Sequence, residues 1–321
     1  MQFRAKNFIN KIGAQYLIVY VAFVLIFVFF TLYLGSTFIS LQNILNITRQ
    51  TAMISIMAIA MTFVISSGVI DLSVGSIAAM SAMIAAIVLR ETNNIFLALV
   101  CGLSMGALVG GINGVLITKA NIPAFLTTLG MMGIVRGFAM WVTNTAAVPI
   151  LNHNFNFIFG TGNLFGIPVL LYWTVLFGVI GYILFNKIPF GRHVLATGGN
   201  ETAARFSGIN TNRIKIMVMV MSGTFAAFAG ILYAGRMQAG RFTFGQGDEL
   251  SVIAAVIIGG TSMAGGTGAI IGAITGSLLM GMINNGLVLA GLTVAQQTII
   301  RGIIIILATA IGNHYAARNK S

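Results

Sequence analysis

Charge is scarce in this chain. Of its 321 residues only 7% are Asp, Glu, Lys or Arg, against roughly a quarter in an ordinary soluble domain. Five acids occur in all: Asp71, Glu91, Glu201, Asp248 and Glu249. With 58% hydrophobic residues, so little charge cannot clothe a soluble surface, and the solvent must be lipid. The single cysteine, Cys101, excludes a disulfide within the chain and any cysteine-based metal site. Three histidines, His153, His193 and His314, lie far apart in different loops. There is no HExxH and no serine nucleophile elbow, so neither a catalytic centre nor a bound metal or cofactor is expected. No GxxxxGK[ST] occurs either, so the chain does not cradle ATP by a P-loop. The net charge of +12 raises nucleic acid as a partner. The seventeen Lys and Arg are scattered along the loops instead of lining an aromatic-studded face, which favours membrane lipid and excludes nucleic acid.

What is present is a series of apolar runs. A helical span needs about 20 such residues, and runs of that kind fall at 16–34, 51–67, 72–89, 95–117, 124–143, 169–186, 214–234, 250–264, 268–290 and 295–311. The expectation is an all-α integral membrane protein of about ten transmembrane helices, one domain over 1–321. The run at 16–34 is too long for a signal-peptide core and lacks a cleavage site, so it reads as an uncleaved first span. Lys and Arg resist translocation. With both termini inside, eleven of them fall on inside segments, four on outside segments, and Arg136 and Arg301 within spans. This orientation puts 187–213 in the cytosol and 144–168 outside. Trp141 and Tyr172–Trp173 flank 144–168; they either mark the headgroup level or pack inside the protein.

The chain also resembles itself. At an offset of 162, MAIAMTFVISSG (57–68) meets MVMSGTFAAFAG (219–230), and GALVGGINGVLI (106–117) meets GAIIGAITGSLL (268–279) with six of twelve positions identical. IVRG (134–137) meets IIRG (299–302), pairing Arg136 with Arg301, and LSV recurs at 72–74 and 250–252. The paired spans are five apart, an odd number, so partners run in opposite directions. That is an inverted repeat of spans 2–5 and 7–10, a design that places substrate at broken helices.

Two stretches look broken. SSGVIDLSVGS (66–76) and GGTSMAGGTG (259–268) interrupt apolar runs with glycine and serine. Asp71 sits where a new helix begins. It either caps that helix or, with Ser73, lines a polar path. GDELSV (247–252) repeats the acid before a helix start. Asn113, Asn284 and Asn285 fall inside spans; they serve helix–helix hydrogen bonds or a path for a polyol. Arg136 and Arg301 are expected to make structural contacts with backbone carbonyls or an acid. In the longest inside loop, GGNETAARFSGI reads as a short helix: Asn200 as N-cap, Glu201 in the first turn, Gly208 as terminator. Its small residues Ala203, Ala204 and Gly208 either form a face that docks in a partner's groove or belong simply to a basic cytosolic loop.

The chain resembles, over nearly its whole length, the permease subunits of bacterial ATP-binding cassette (ABC) sugar importers of the ribose/xylose/galactose class, with the ribose permeases nearest. The resemblance is carried by IDLSVGS (70–76), IPAFLTTLG (122–130), FGRHVLATGGNETAARFSGINTNRIKI (190–216), IIGGTSMAGGTG (257–268) and NNGL (284–287). It implies a multi-pass protein of the bacterial inner membrane that is not itself an enzyme. It implies that 187–213 holds the coupling helix, with Asn200, Glu201, Ala203, Ala204, Arg205, Gly208 and Ile209 as coupling residues. The implied partners are an ATPase of two fused cassettes, a periplasmic sugar-binding protein and a second permease chain, as a homodimer. Ribose is the expected sugar. The alternative is an ion-coupled secondary sugar transporter, which would want acids buried within spans; a membrane-embedded enzyme lacks the motifs it needs.

Overall fold

The computed structural model describes residues 14–304 and 306. The N-terminal Arg4, Lys6 and Lys11, Arg318, Lys320, both termini and most of 305–311 lie outside the described residues. Apart from the four-residue helices Ser36–Ile39 and His153–Asn156, the α-helices up to Leu289 are α1 (Ala14–Leu34), α2 (Leu41–Ser66), α3 (Val74–Thr92), α4 (Ile95–Thr118), α5 (Ala124–Trp141), α6 (Val169–Asn186), α7 (Pro189–Gly199), α8 (Glu201–Phe206), α9 (Thr211–Met237), α10 (Asp248–Ile258) and α11 (Ile270–Leu289). A further helical stretch covers 294–304. Seven of these, α2 to α6, α9 and α11, are long and apolar enough to cross a membrane, and α1 adds a shorter apolar stretch.

The helices lie close to the expected spans, with informative differences. The span expected at 51–67 begins ten residues earlier, at Leu41. Its first turns, LQNILNITRQ, are too polar to read as a span. Their polar groups are satisfied by structure: Ser40 caps the helix, accepting from Asn43 N at 3.3 Å, and Arg49 reaches Asn163 Oδ1 at 2.8 Å. The span expected at 250–264 is instead the eleven-residue α10, about 16 Å long, followed by an irregular stretch to Ala269. The molecule is mostly helical and not all-α. Val148–Pro149 pairs antiparallel with Ala239–Gly240, and Asn163–Leu164 with Ile167–Pro168. Both expected breaks exist, at 67–73 and 259–269, and a third irregular stretch precedes α10 at 238–247.

Helix α9 is the axis of the bundle. It packs along α2, α3 and α4, while α4, α5 and α6 turn most of their apolar side chains outward. The α4–α9 contact is backbone on backbone. A Cβ on Gly106 would fall 2.3 Å from Gly223 O, and one on Gly110 2.2 Å from Met219 O. Such proximity replaces the hydrophobic effect, which lipid cannot supply, with dispersion. Of the flanking aromatics, Trp173 packs against Phe159 and Phe228 and donates to Ile158 O at 2.9 Å, whereas Trp141 is 73% exposed.

Candidate functional site

The first break is closed by Gly68, whose φ of +84° only glycine adopts freely. The chain then turns back into the bundle. Asp71, Ser73, Asn113 and Ser222 meet there, all fully buried. Asp71 Oδ1 accepts from Ser73 N at 2.9 Å and from Ser73 Oγ. Asp71 Oδ2 accepts from Ser222 Oγ of α9 at 2.8 Å. Asn113 of α4 donates to Ser73 Oγ at 3.0 Å, leaving its own Oδ1 without a partner among the described residues. Asp71 therefore does not cap the first turn of α3 directly. It holds Ser73, the N-cap residue of α3, and ties α3 to α9. A buried carboxylate is costly unless hydrogen-bonded, and here three donors converge on it.

The start of α10 lies against the start of α3. A Cβ on Gly75 would fall 2.1 Å from Gly245 O and 2.8 Å from Glu249 Oε2. Two helix N-termini, each a partial positive charge, thus meet with acids beside both. Asp248 accepts from Tyr233 Oη at 2.6 Å, and Glu249 Oε2 is buried without a partner among the described residues. Arg136 donates to the carbonyls of Phe242 and Phe244, the latter at 2.7 Å, so the backbone contact expected for it is present. Arg301 reaches only Asn284 Oδ1, at 3.3 Å, among the described residues. Asn285 forms a reciprocal amide pair with Asn43, both bonds 3.0 Å. The five path candidates thus separate into one buried cluster (Asp71, Ser73, Asn113) and two distant asparagines with different partners.

In the loop 187–213, Asn200 accepts from Ala203 N at 3.0 Å and caps α8. Gly208, at φ +83°, ends it, with Ile209 N donating to Ala204 O at 3.0 Å. Glu201 braces the helix, accepting from Arg205 at 2.8 Å, Lys215 at 2.7 Å and Thr211 at 3.1 Å. Burial alone would raise the Glu201 carboxyl. The Lys215 ammonium, helped by Thr211 and Arg205, outweighs it and holds the group below its usual range. The expected small-residue docking face is corrected by the structure. Ala204 is only 4% exposed and faces its own chain, and Ile209 is half-buried; Ala203 and Gly208 face outward. The most exposed large side chain of α8 is Phe206, at 89%.

Residues 43–309 match the family described as branched-chain amino acid transport system / permease component. The chain belongs to this permease family. Among its relatives, the ribose import permease protein RbsC of Escherichia coli (strain K12) is 38% identical over 283 residues, 87% of this chain and 88% of that protein. RbsC of Bacillus subtilis (strain 168) is 40% identical over 285 residues, 88% of each. The L-arabinose transport system permease protein AraH of Escherichia coli (strain K12) is 37% identical over 283 residues, 88% of this chain and 86% of that protein. No solved structure matches. As a permease component, the chain is the non-catalytic transport subunit of its system.

Four residues of the permease that build this site escape sequence reasoning. Ser222 is one apolar-span serine among many; only the fold aims it at Asp71. Asn43 lies in a stretch too polar to read as a span. Tyr233 gives no signal apart from Asp248. Phe206 sits beside the small residues of the loop 187–213, and a large aromatic on a six-residue polar helix is a signal in its own right.

Proposed function

We propose that the permease is the membrane-spanning subunit of an ATP-driven importer that carries a monosaccharide, ribose foremost, from periplasm to cytoplasm. The names of the relatives, for ribose and L-arabinose, support a pentose. The observation that carries the ATP-driven reading is α8: a capped, ion-braced helix presenting Phe206 to the outside. A chain with no nucleotide site of its own needs such a handle for an ATPase, and an ion-coupled transporter does not. We assign α8 to the cytosolic side, with an ATPase of two fused cassettes seated on it, a second copy of the permease beside it, and a periplasmic sugar-binding protein at the opposite face.

The same reading includes ten spans, both termini cytosolic, 144–168 periplasmic, and an inverted repeat. Reciprocal packing supports the repeat. Gly106, Gly110 and Gly114, late in α4, lie on Gly223, Met219 and Ile216, early in α9. Gly281 and Asn285, late in α11, lie on Thr51 and Asn43, early in α2. Each half thus lays its third helix on the first helix of the other. The broken helices α3 and α10 start side by side, and the buried Asp71–Ser73–Asn113 cluster at that meeting is the path candidate. In intact cells, a cysteine at 154 is expected to react with an impermeant maleimide and one at 205 to be spared. In proteoliposomes with ATPase and binding protein, labelled ribose uptake is expected to follow ATP with all ion gradients collapsed. Uptake that needs a gradient and ignores ATP would refute the importer reading.

A further inference from the structure

The coupling segment has no slack. Asn200 is at once the C-cap of α7, donating its N–H to Ala196 O at 3.2 Å, and the N-cap of α8. No loop separates the two helices, so a displacement of α8 must move the end of α7. That end, Gly198, is wedged against a tie between two other parts of the chain. Ser66 O, at the end of α2, accepts from Gly266 N at 2.9 Å. Ser66 Oγ donates to Thr267 O at 3.0 Å. A Cβ on Gly198 would land 1.9 Å from Ser66 O and 2.9 Å from Gly266 N, and one on Gly265 would land 2.6 Å from Gly198 O. These are backbone contacts, with no rotamer to yield, so a push passes through them instead of being absorbed. Five residues beyond Ser66 lies Asp71 and the first break. Eight residues before Gly266 lies the end of α10, the second broken helix.

We propose that Gly198 and Ser66 form the joint through which movement of α8 reaches both broken helices at once, making them positioning residues of the transport cycle. The proposal rests on the reading of α8 as the ATPase-docking helix. Thr197, 2% exposed at the same joint, keeps its hydroxyl without a partner among the described residues, as suits a joint with a second position in which that group is paired.

The test uses the full importer, permease with ATPase and binding protein, in proteoliposomes. It reads labelled ribose taken up per ATP hydrolysed, in complexes that retain the ATPase. Gly198→Ala places a methyl group on the tie. Gly199→Ala is its control, because a Cβ there meets only Gly266 Cα at 3.6 Å. Gly198→Ala is expected to keep ATP hydrolysis and lower the uptake ratio roughly tenfold, within the usual range of coupling between sites; Gly199→Ala is expected to keep the wild-type ratio. Ser66→Ala, which adds no volume and removes only the Thr267 bond, is expected to lower the ratio roughly fivefold. Wild-type ratios for Gly198→Ala and Ser66→Ala would overturn the joint. If Gly198→Ala fails to assemble, Ser66→Ala decides alone: a lowered ratio supports the joint and an unchanged one overturns it. Phe206→Asp separates the underlying reading. Retention of the ATPase by that variant refutes docking through α8. Its loss, together with wild-type ratios at the joint, refutes the joint alone.

Discussion

Replacing Asp71 by asparagine and by leucine distinguishes a carboxylate that holds the fold from one that serves the sugar. Three donors converge on the group: Ser73 N–H, Ser73 Oγ and Ser222 Oγ. In Asp71→Asn, the amide oxygen keeps both Ser73 donors. The amide nitrogen faces Ser222, whose hydroxyl can accept from it and donate instead to the carbonyl four residues back, as Thr224 does to Val220 O at 2.8 Å. What is lost is the difference between charge-assisted and neutral bonds, about 1 kcal/mol, offset by no longer burying a charge. In Asp71→Leu, Ser222 can still turn to its own helix, but Ser73 N–H and Oγ lose their acceptor. Each buried orphan costs about 1–3 kcal/mol, so the pair costs about 2–6 kcal/mol, a large share of a typical stability of about 5–15 kcal/mol. The assay is folded yield by gel filtration and thermal unfolding in detergent, with ribose uptake per folded molecule beside it. Asp71→Asn is expected to keep near-normal yield and more than half of wild-type uptake; Asp71→Leu is expected to lose most folded material. Normally folded but inactive Asp71→Asn would refute the reasoning and put the charge itself on the path. Asp71→Leu that melts with the wild type would show that the network stores no stability.

The remaining expectations follow from other contacts. Arg136→Leu orphans the carbonyls of Phe242 and Phe244, so folded yield should fall by more than in Arg301→Leu, which gives up one 3.3 Å bond among the described residues; equal yields with both variants inactive would move the arginines onto the path. Leucine at Asn43 leaves the Asn285 amide unpaired, about 1–3 kcal/mol, and also frees the Phe38 carbonyl that Asn43 holds at 2.9 Å, whereas leucine at Asn285 leaves Asn43 with its Phe38 bond alone; leucine at both should recover part of the summed loss in a double-mutant melt, and strictly additive losses would refute the pair. Because the Glu201 carboxyl is held below its usual 4.5, it contributes stability that is fully present above that value and lost as pH falls through the lowered one. The melting difference between wild type and Glu201→Gln should therefore be constant from pH 7 to about 5 and shrink below, remaining small because the side chain is 36% exposed and screened by solvent; a difference that grew on acidification would contradict the assignment.

Much of the architecture was legible because lipid forces a simple code. Backbone groups in hydrocarbon must be satisfied within the segment, so an apolar run of sufficient length is a helix, and α1, α3 to α6, α9 and α11 lie near their expected places. The code fails where protein, not lipid, surrounds the chain. The first turns of α2 carry Asn43, Thr48 and Arg49, which hydropathy rejects, yet each side chain has a partner in the fold. The run at 250–264 is apolar enough to span but stops at Ile258, because GGTSMAGG supplies positive-φ glycines at 260, 265 and 266, and the backbones of the last two lie against Ser66 and Gly198.

The site divides along the same line. Local chemistry was readable: Asn200 as a cap, Gly208 as a stop, acids placed before both LSV motifs. Each depends on residues within a few positions of one another. Partnerships across the fold were not readable, since any of several serines could have answered Asp71, and Ser222 does so only in the fold, where α3 and α9 approach so closely that a Cβ on Gly230 would fall 2.1 Å from Ala78 O. Three of the glycines at these crossings had a visible trace, because Gly106, Gly110 and Gly230 all fall at identical positions when the sequence is matched to itself at an offset of 162. In a bundle held by backbone proximity, the glycine pattern is thus the record of which helices touch, and side-chain partners follow once that pattern is assigned. The meeting of Gly75 with Gly245 belongs to the same class of signal. It decides that α3 and α10 begin at one place, with Glu249 beside the start of α3.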